Sequence, residues 1–512
     1  MKLKSILKKL TDPSFYKEKL KGHTDVSVYL DNNATTQIDE KVEKEIISFI
    51  KRYGNPSSLH TAGLTARKYV DEARRYVAEL INAEKNEIIF TSGGTEANNT
   101  ILKGVANHYA SKGNHIITSK IEHSSIIESC QYLEKQGFKV TYLPVNSDGL
   151  IDLNDLEKSI TNHTILISIM FANNEVGSIQ HIRKIAEIAK NKGVLCHTDA
   201  VQGVGKMPVD VKLLDVDFLT YSSHKIYGPK GVGAMYIKSP NKFDNLIHGG
   251  HQESFVRGGT ENTIGIVGFG EAARVMIESK LAYNHEIKRL RTLFELYLHE
   301  HLPQVKINGP QTDGLPGTIN LQFPGIDNKK IIALLDYYKI YASTGSACSE
   351  GGEEASHVLK AIGLTDKEAG SSVRFSIGKF NNEKQIKYCV DKLKQILSSK
   401  GSFDYIYIKD LNEELILNPE ILLVDIRNNL ERQIAKTITK AIEIDLFEAS
   451  NYIEKLEKNK KIVLICQSGV DATILGYNLS VKGFTNVMVL LGGYLLWKGY
   501  YPNLYGKYAK IS

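Results

Sequence analysis

The chain has 512 residues, 42% of them hydrophobic and 24% charged. That balance excludes a disordered chain, a collagen or a continuous coiled coil, and the length suits roughly three domains. The net charge of +6 is modest, less than a nucleic-acid binder usually carries, so no direct nucleic-acid partner is expected. From about residue 26 to 400, short β-rich runs alternate with amphipathic stretches. Strands are expected at Glu87–Thr91, His115–Thr118, Lys139–Leu143, Ile165–Phe171, Gly193–His197, Phe218–Tyr221 and Gly233–Ile237. Helices are expected at Thr65–Ile81, Ser124–Gln136 and Ile182–Asn191. This alternation predicts an α/β fold with a mostly parallel sheet. Residues 286–400 read as a smaller α+β subdomain closed by a helix at Asn382–Ser398.

Small and polar residues at 398–402 then break the pattern, and it restarts. Strands are expected at Ile421–Asp425, Lys461–Cys466 and Asn486–Leu491, with helices at Leu446–Lys458 and Ala472–Lys482. The expected organisation is a basic extension at 1–25, a large domain at 26–400, a linker at 401–404 and a compact domain at 405–512. The extension holds seven lysines against Asp12, Glu18 and Asp25. It lacks the apolar stretch of a secretion signal and reads as a solvated helix, with a membrane-surface or partner contact as the alternative. The longest apolar stretch, Val487–Trp497, is about half of what a membrane span needs. The five cysteines form no CxxC pair, so neither a disulfide framework nor a zinc site is expected, and a reducing cytoplasm fits.

Four segments carry chemistry. In Tyr221-Ser-Ser-His-Lys225-Ile-Tyr-Gly-Pro-Lys-Gly231 a lysine follows a strand end among hydroxyls and an imidazole. That setting suits a Schiff base with a phosphate-bearing aldehyde; a surface lysine beside a turn is the plain alternative. In Thr198-Asp199-Ala-Val-Gln202, an acid at a strand end could pair with a pyridinium nitrogen. Phe90-Thr-Ser-Gly-Gly-Thr95-Glu-Ala-Asn-Asn99 runs from strand through a Gly-Gly turn into a helix start, whose N–H groups can bind phosphate. Lys120-Ile-Glu-His123-Ser sets a histidine at another strand end.

In this order the four segments resemble the cysteine desulfurases, within the fold-type I pyridoxal phosphate enzymes. Further matches are Asp31-Asn-Asn-Ala-Thr-Thr36, Tyr53-Gly-Asn-Pro-Ser57, Ala172-Asn-Asn-Glu-Val-Gly177, Arg257-Gly-Gly-Thr260 and Ser372-Val-Arg374-Phe-Ser. The resemblance implies pyridoxal 5′-phosphate as cofactor, L-cysteine as substrate and a homodimer. It implies that Lys225 holds the cofactor and moves the Cα proton, and that Asp199 keeps the ring nitrogen protonated. His123 would stack on the ring and exchange protons with substrate sulfur, and Gln202 would contact the ring oxygen. Thr95, Ser222 and His224 would hold the phosphate, with Thr260 reaching the phosphate of the neighbouring subunit. Asn174 would face the cofactor and, with Arg374, hold the substrate carboxylate, which suits a guanidinium fork. Ala342-Ser-Thr-Gly-Ser346-Ala-Cys348 resembles the NifS/IscS-like branch and implies that the Cys348 thiolate takes the sulfur as a persulfide. Glu350, Gly351 and Gly352 depart from that pattern. Selenocysteine lyase or cysteine sulfinate desulfinase activity stays open on the same scaffold.

Residues 405–512 resemble a rhodanese domain. The resemblance rests on Leu423-Val-Asp425-Ile-Arg427, Ala441-Ile-Glu-Ile-Asp445-Leu, Ile465-Cys466-Gln-Ser-Gly469-Val-Asp471-Ala and Leu491-Gly-Gly493-Tyr-Leu-Leu-Trp497. Cys466 at a helix start is expected to have a lowered pKa and to accept sulfur. Asp471 stands where the family often has arginine, and a carboxylate there repels thiosulfate. Two uses remain: a relay from Cys348 to Cys466 and on to an acceptor, an iron–sulfur scaffold or a thiolation protein, or a non-catalytic docking module. Cys130, Cys196 and Cys389 are assigned to packing.

Overall fold

The computed structural model describes residues 27–239, 241–345, 355–398, 403–434, 437, 438 and 440–500. The expected N-terminal helix, Cys348 and the breaker at 399–402 lie outside the described residues. The chain divides into two compact units, one built from Tyr29–Asn328 with Ala342–Lys387, the other from Lys329–Tyr341 with the described part of 388–512.

The first unit is organised by a seven-stranded sheet. Its strands are β1 (Ile88–Thr91), β2 (His115–Ser119), β3 (Lys139–Leu143), β4 (Thr164–Ser168), β5 (Leu195–Asp199), β6 (Phe218–Ser222) and β7 (Gly233–Ile237). The order is β1-β7-β6-β5-β4-β2-β3. Pairs among β2 to β6 are parallel, and β7 runs antiparallel to both neighbours. Strand residues alternate between two apolar layers, with Ile88 and Phe90 in one and Ile89 in the other, as the two-residue period of a strand requires. Helices α1 (Glu40–Phe49), α2 (Thr61–Glu79), α3 (Gly94–His108), α4 (Ser124–Lys135), α5 (Ile182–Asn191) and α6 (Thr263–His301) belong to the same unit. On α5 the buried positions are Ile182, Ile185, Ala186 and Ala189, the spacing of one helical face. A three-stranded antiparallel sheet of β8 (Lys306–Asn308), β9 (Thr318–Gln322) and β10 (Ser372–Ser376) brings Arg374 to this unit.

Two strand bounds differ from the sequence expectation in ways that matter. β5 begins and ends two residues later than expected, so Asp199 is its last residue rather than a loop residue. β4 ends at Ser168, although the backbone beyond it still donates to the same neighbour β5, Ile169 N to His197 O and Phe171 N to Asp199 O. β1, β2, β4, β5 and β6 all end on one sheet edge, where open α/β sheets bind ligands. Gly233 makes the β1–α3 turn possible there. A Cβ at Gly233 would stand 2.7 Å from Gly93 Cα.

The second unit holds a parallel sheet of β11 (Asp404–Ile406), β12 (Ile421–Asp425), β13 (Ile442–Glu443), β14 (Lys461–Ile465) and β15 (Val487–Leu490), in the order β11-β15-β14-β12-β13. Helices α7 (Leu446–Ile453), α8 (Val470–Val481) and α9 (Gly493–Tyr500) accompany it. α7 is shorter than the expected 446–458. The core includes Leu423, Val463, Ile465, Tyr494 and Trp497. Among the described residues no helix is long and apolar enough to cross a membrane.

Candidate active site

The strand ends of the first unit open onto a cavity of about 190 Å³. Thr95, His123, Asn174, Asp199, Gln202, Ser222, His224, Lys225 and Arg374 all line it. Thr260 does not; it is exposed on a segment tied to the first turn of α3 by an Arg257–Glu96 ion pair of 3.0 Å.

Lys225 closes a short helical turn directly after β6, and its Nζ donates to the carbonyls of Asn33 at 2.6 Å and Ala34 at 2.7 Å. Asp199 accepts from Val201 N at 2.9 Å on Oδ1 and from Asn98 Nδ2 at 2.7 Å on Oδ2. Asn98 is itself oriented, because Thr220 Oγ1 donates to its Oδ1 at 2.6 Å. Its amide also donates to Ser125 Oγ at 2.9 Å. The Ser125 hydroxyl is then left to donate to His123 Nδ1, 2.9 Å away, and Ser125 N donates to the same nitrogen at 3.1 Å. With Nδ1 accepting, the neutral ring carries its proton on Nε2. Burial lowers the His123 pKa, and Lys225 pushes the same way against Asp199, which raises it. The net direction keeps His123 neutral. Burial likewise pushes His224 down to about 3, with Lys225, Lys230 and Lys206 adding to it.

Arg374 is 1% exposed. Nη2 pairs with Asp31 Oδ1 at 2.7 Å and Nη1 donates to Asn174 O at 3.2 Å, while Nε has no hydrogen-bond partner among the described residues. Ser222 Oγ is also buried without a partner there. An orphaned hydroxyl, a helix N-terminus at Thr95, an amine, a carboxylate at a strand end and a neutral imidazole form a donor set that fits a phosphate-bearing pyridine aldehyde. Among the described residues no group of three or more His, Cys, Asp or Glu side chains is placed to hold a metal ion.

Sequence reasoning assigned no role to Asn98, Ser125, Asn33 or Lys206. Asn98 follows Thr95 by three residues on α3, which puts both on one helical face, so its signal was present. Lys206 sits in an irregular turn, and no periodicity marks a buried lysine. Glu122 was also passed over. Its Oε1 accepts from Ser119 Oγ at 2.6 Å and Met170 N at 3.0 Å, and its Oε2 has no partner among the described residues. Burial raises this carboxyl from an ordinary 4.5 to about 8, with Asp199 adding to the rise. The folded chain therefore keeps a proton that the unfolded chain releases, and stability falls as pH rises from about 4.5 to about 8. Glu122→Gln is expected to mimic the protonated acid and remove that slope. Melting temperatures at pH 5, 6.5 and 8 test this: the variant should gain on the parent as pH rises, and a constant gap would refute it.

In the second unit, Cys466 follows β14 directly and is 2% exposed. Its Sγ accepts from Gly469 N at 3.1 Å and Ala472 N at 3.4 Å. Gly469 reaches this geometry at φ +92°, a conformation that favours glycine. Beneath the loop, Arg427 Nη2 pairs with Asp425 at 2.7 Å and its guanidinium lies 3.7 Å from the centre of the Tyr494 ring. Tyr494 N in turn donates to Cys466 O at 2.9 Å. The expected lowering of the thiol pKa is corrected by the structure. Burial pushes Cys466 up to about 11, outweighing the N–H donors, and the Asp471 carboxylate pushes in the same direction as burial. Cys130, Cys196 and Cys389 are free and buried in apolar surroundings.

Two family models match the chain: aminotransferase class-V over residues 28–389 and a rhodanese-like domain over residues 408–500. A curated relative, cysteine desulfurase IscS of Clostridium botulinum, is 45% identical over 393 residues, covering 76% of this chain and 99% of the relative. Among solved structures, a NifS-like protein is 40% identical with a TM-score of 0.69, over 73% of this chain and 100% of its own. The structure titled SspA in complex with cysteine is 34% identical with a TM-score of 0.62, over 70% and 100%.

Proposed function

The chain belongs to the aminotransferase class-V family as a pyridoxal phosphate-dependent cysteine desulfurase with a rhodanese domain, and from that premise we propose how its residues divide the reaction. The observation that carries the assignment is the convergence of Lys225, Asp199, His123 and Arg374 on one cavity. Lys225 would hold the cofactor aldehyde, with Thr95, Ser222 and His224 at the phosphate, Asp199 at the ring nitrogen, Gln202 at the ring oxygen and Asn174 alongside. Pyridoxal 5′-phosphate supplies, when bound, a conjugated ring that draws electrons from the substrate Cα. Arg374 and Asn174 hold the carboxylate of L-cysteine. Lys225 takes the Cα proton. His123, neutral and protonated on Nε2, exchanges a proton with the substrate sulfur. The Cys348 thiolate attacks that sulfur, the Cβ–S bond breaks, and a persulfide forms on Cys348. In sum cysteine and a thiol give alanine and a persulfide: the sulfur is oxidised as the carbon is reduced. Thr260 belongs to the phosphate site of the partner in a homodimer. Alanine release from L-cysteine, stimulated by a reductant that strips the persulfide, tests this reading. No alanine from cofactor-loaded protein would overturn it. The relatives are desulfurases, so selenocysteine-lyase and sulfinate readings are not favoured.

We assign residues 26–400 to desulfuration and 405–512 to sulfur carriage in the cytoplasm, toward an iron–sulfur scaffold or a thiolation protein. In this relay the Cys466 thiolate attacks the outer sulfur of the Cys348 persulfide and expels the Cys348 thiolate. Asp471 supports a persulfide donor over thiosulfate, since no carboxylate favours an anionic donor. A thiol held up to about 11 also sets the pH dependence. Loading of Cys466 is expected to rise nearly tenfold per pH unit from 7 to 10, following the thiolate fraction. Mass spectrometry of the Cys466 peptide after addition of L-cysteine measures it. A flat profile would refute the raised thiol pKa, and a persulfide on Cys466 that persists in Cys348→Ser would remove the relay.

A further inference from the structure

Lys206 has no part in the chemistry above, yet it is a buried amine bonded to two residues that line the site. Its Nζ donates to Gln202 Oε1 at 2.5 Å and to Asn33 Oδ1 at 2.8 Å. Asn33 is also the residue whose carbonyl accepts from Lys225 Nζ at 2.6 Å and from Gln202 Nε2 at 3.0 Å. Two amines therefore grip one asparagine, Lys206 by its side chain and Lys225 by its main chain. The Asn33 NH2 group donates to Asn174 O at 3.1 Å and Thr318 Oγ1 at 2.8 Å, and its backbone N–H to Ser376 Oγ at 2.9 Å. Asn174 O is the same carbonyl that receives Arg374 Nη1. Lys206 thus stands at the hub joining the cofactor lysine, the ring-oxygen contact and the carboxylate-binding arginine.

Two consequences follow from elementary chemistry. An amine that donates to both amide oxygens fixes which way Gln202 and Asn33 face. Gln202 must then present its NH2 side elsewhere, as a donor. Second, burial holds the Lys206 amine well below its ordinary pKa, and the cations Lys225 and Arg374 push it the same way, so it donates to the two amide oxygens without adding a buried charge.

We propose that Lys206 is a positioning residue for desulfuration, orienting Gln202 and Asn33 and, through Asn33, the Lys225 amine and the Arg374 contact at Asn174. The proposal rests on Lys225 being the cofactor lysine. Borohydride reduction of the cofactor-loaded protein tests that premise separately: an adduct on any residue other than Lys225 would remove the premise.

The hub is tested on the full-length chain in the parent, Lys206→Met and Lys206→Gln, of which only Lys206→Gln keeps a hydrogen-bond donor among the variants. After removal of cofactor, capture of pyridoxal phosphate at pH 7 is expected to slow about tenfold in Lys206→Met and less in Lys206→Gln, because Asn33 and Gln202 lose their fixed facing. Equal capture rates in all three proteins would overturn the hub. If Lys206→Met fails to fold, Lys206→Ala takes its place. The positioning role has its own readout: Lys206→Gln should keep the parent KM for L-cysteine, whereas Lys206→Met should raise it. Equal KM values in all three proteins would overturn that part.

Discussion

Lys225→Ala is expected to abolish alanine formation from L-cysteine, by about 10⁴-fold or more, because one side chain holds the cofactor and moves the Cα proton. The fold should survive. Lys225 Nζ donates to the carbonyls of Asn33 and Ala34 on the cavity wall, where water can replace an amine, so the stability cost is about 1 kcal/mol per bond lost. Lys225→Arg sharpens the test. A guanidinium can still donate to both carbonyls, but it stays protonated and serves neither as nucleophile nor as base. It should therefore be as inactive as the alanine variant while melting close to the parent. Measuring alanine and the melting temperature on all three proteins separates the roles. More than a few per cent of parental activity in Lys225→Arg would mean that another group moves the proton.

The sequence made the strand-end chemistry legible because α/β sheets deliver it by a simple rule: strands that end on one edge bring their last residues together. Asp199, Ser222 and Lys225 follow from that rule once the strands are found. Arg374 was legible only through a family pattern, since β10 lies far along the chain and nothing local says where it returns. The supporting residues were harder. Asn98 matters because of what Thr220 does to its amide, and a hydrogen bond across 122 residues leaves no mark in a local pattern. Lys206 reads as one more surface lysine until its burial is seen. Cys466 shows the opposite failure. A thiol at a helix start suggests a lowered pKa, but the helix and N–H donors compete with burial, and burial depends on packing that a local motif does not contain.

Asp199→Asn is expected to lower the rate of alanine formation by about 10³-fold, and the hydrogen-bond polarity around it shows how to find out why. Both Asp199 oxygens accept from N–H donors, Val201 N and Asn98 Nδ2. Asn98 cannot turn over to accommodate an amide, because its own oxygen already receives Thr220 Oγ1 and its NH2 group also serves Ser125. An asparagine at 199 therefore sets a donor against a donor, and it removes the negative charge as well. The two losses separate in the exchanged pair Asn98→Asp with Asp199→Asn. There the carboxylate at 98 accepts from the amide at 199 and from Thr220; the Ser125 hydroxyl can donate to it only by leaving His123 Nδ1, which keeps Ser125 N as donor. The bonds around position 199 are restored, but the charge has moved away from the strand end. If the charge at 199 is what holds the cofactor ring nitrogen protonated, the exchanged pair stays as slow as Asp199→Asn although it regains stability. If orientation alone matters, activity returns with the hydrogen bonds, and the electrostatic role of Asp199 is refuted. The absorption of bound cofactor as a function of pH gives a second reading of the same question, since loss of the charge should ease deprotonation of the ring whether or not turnover is measured.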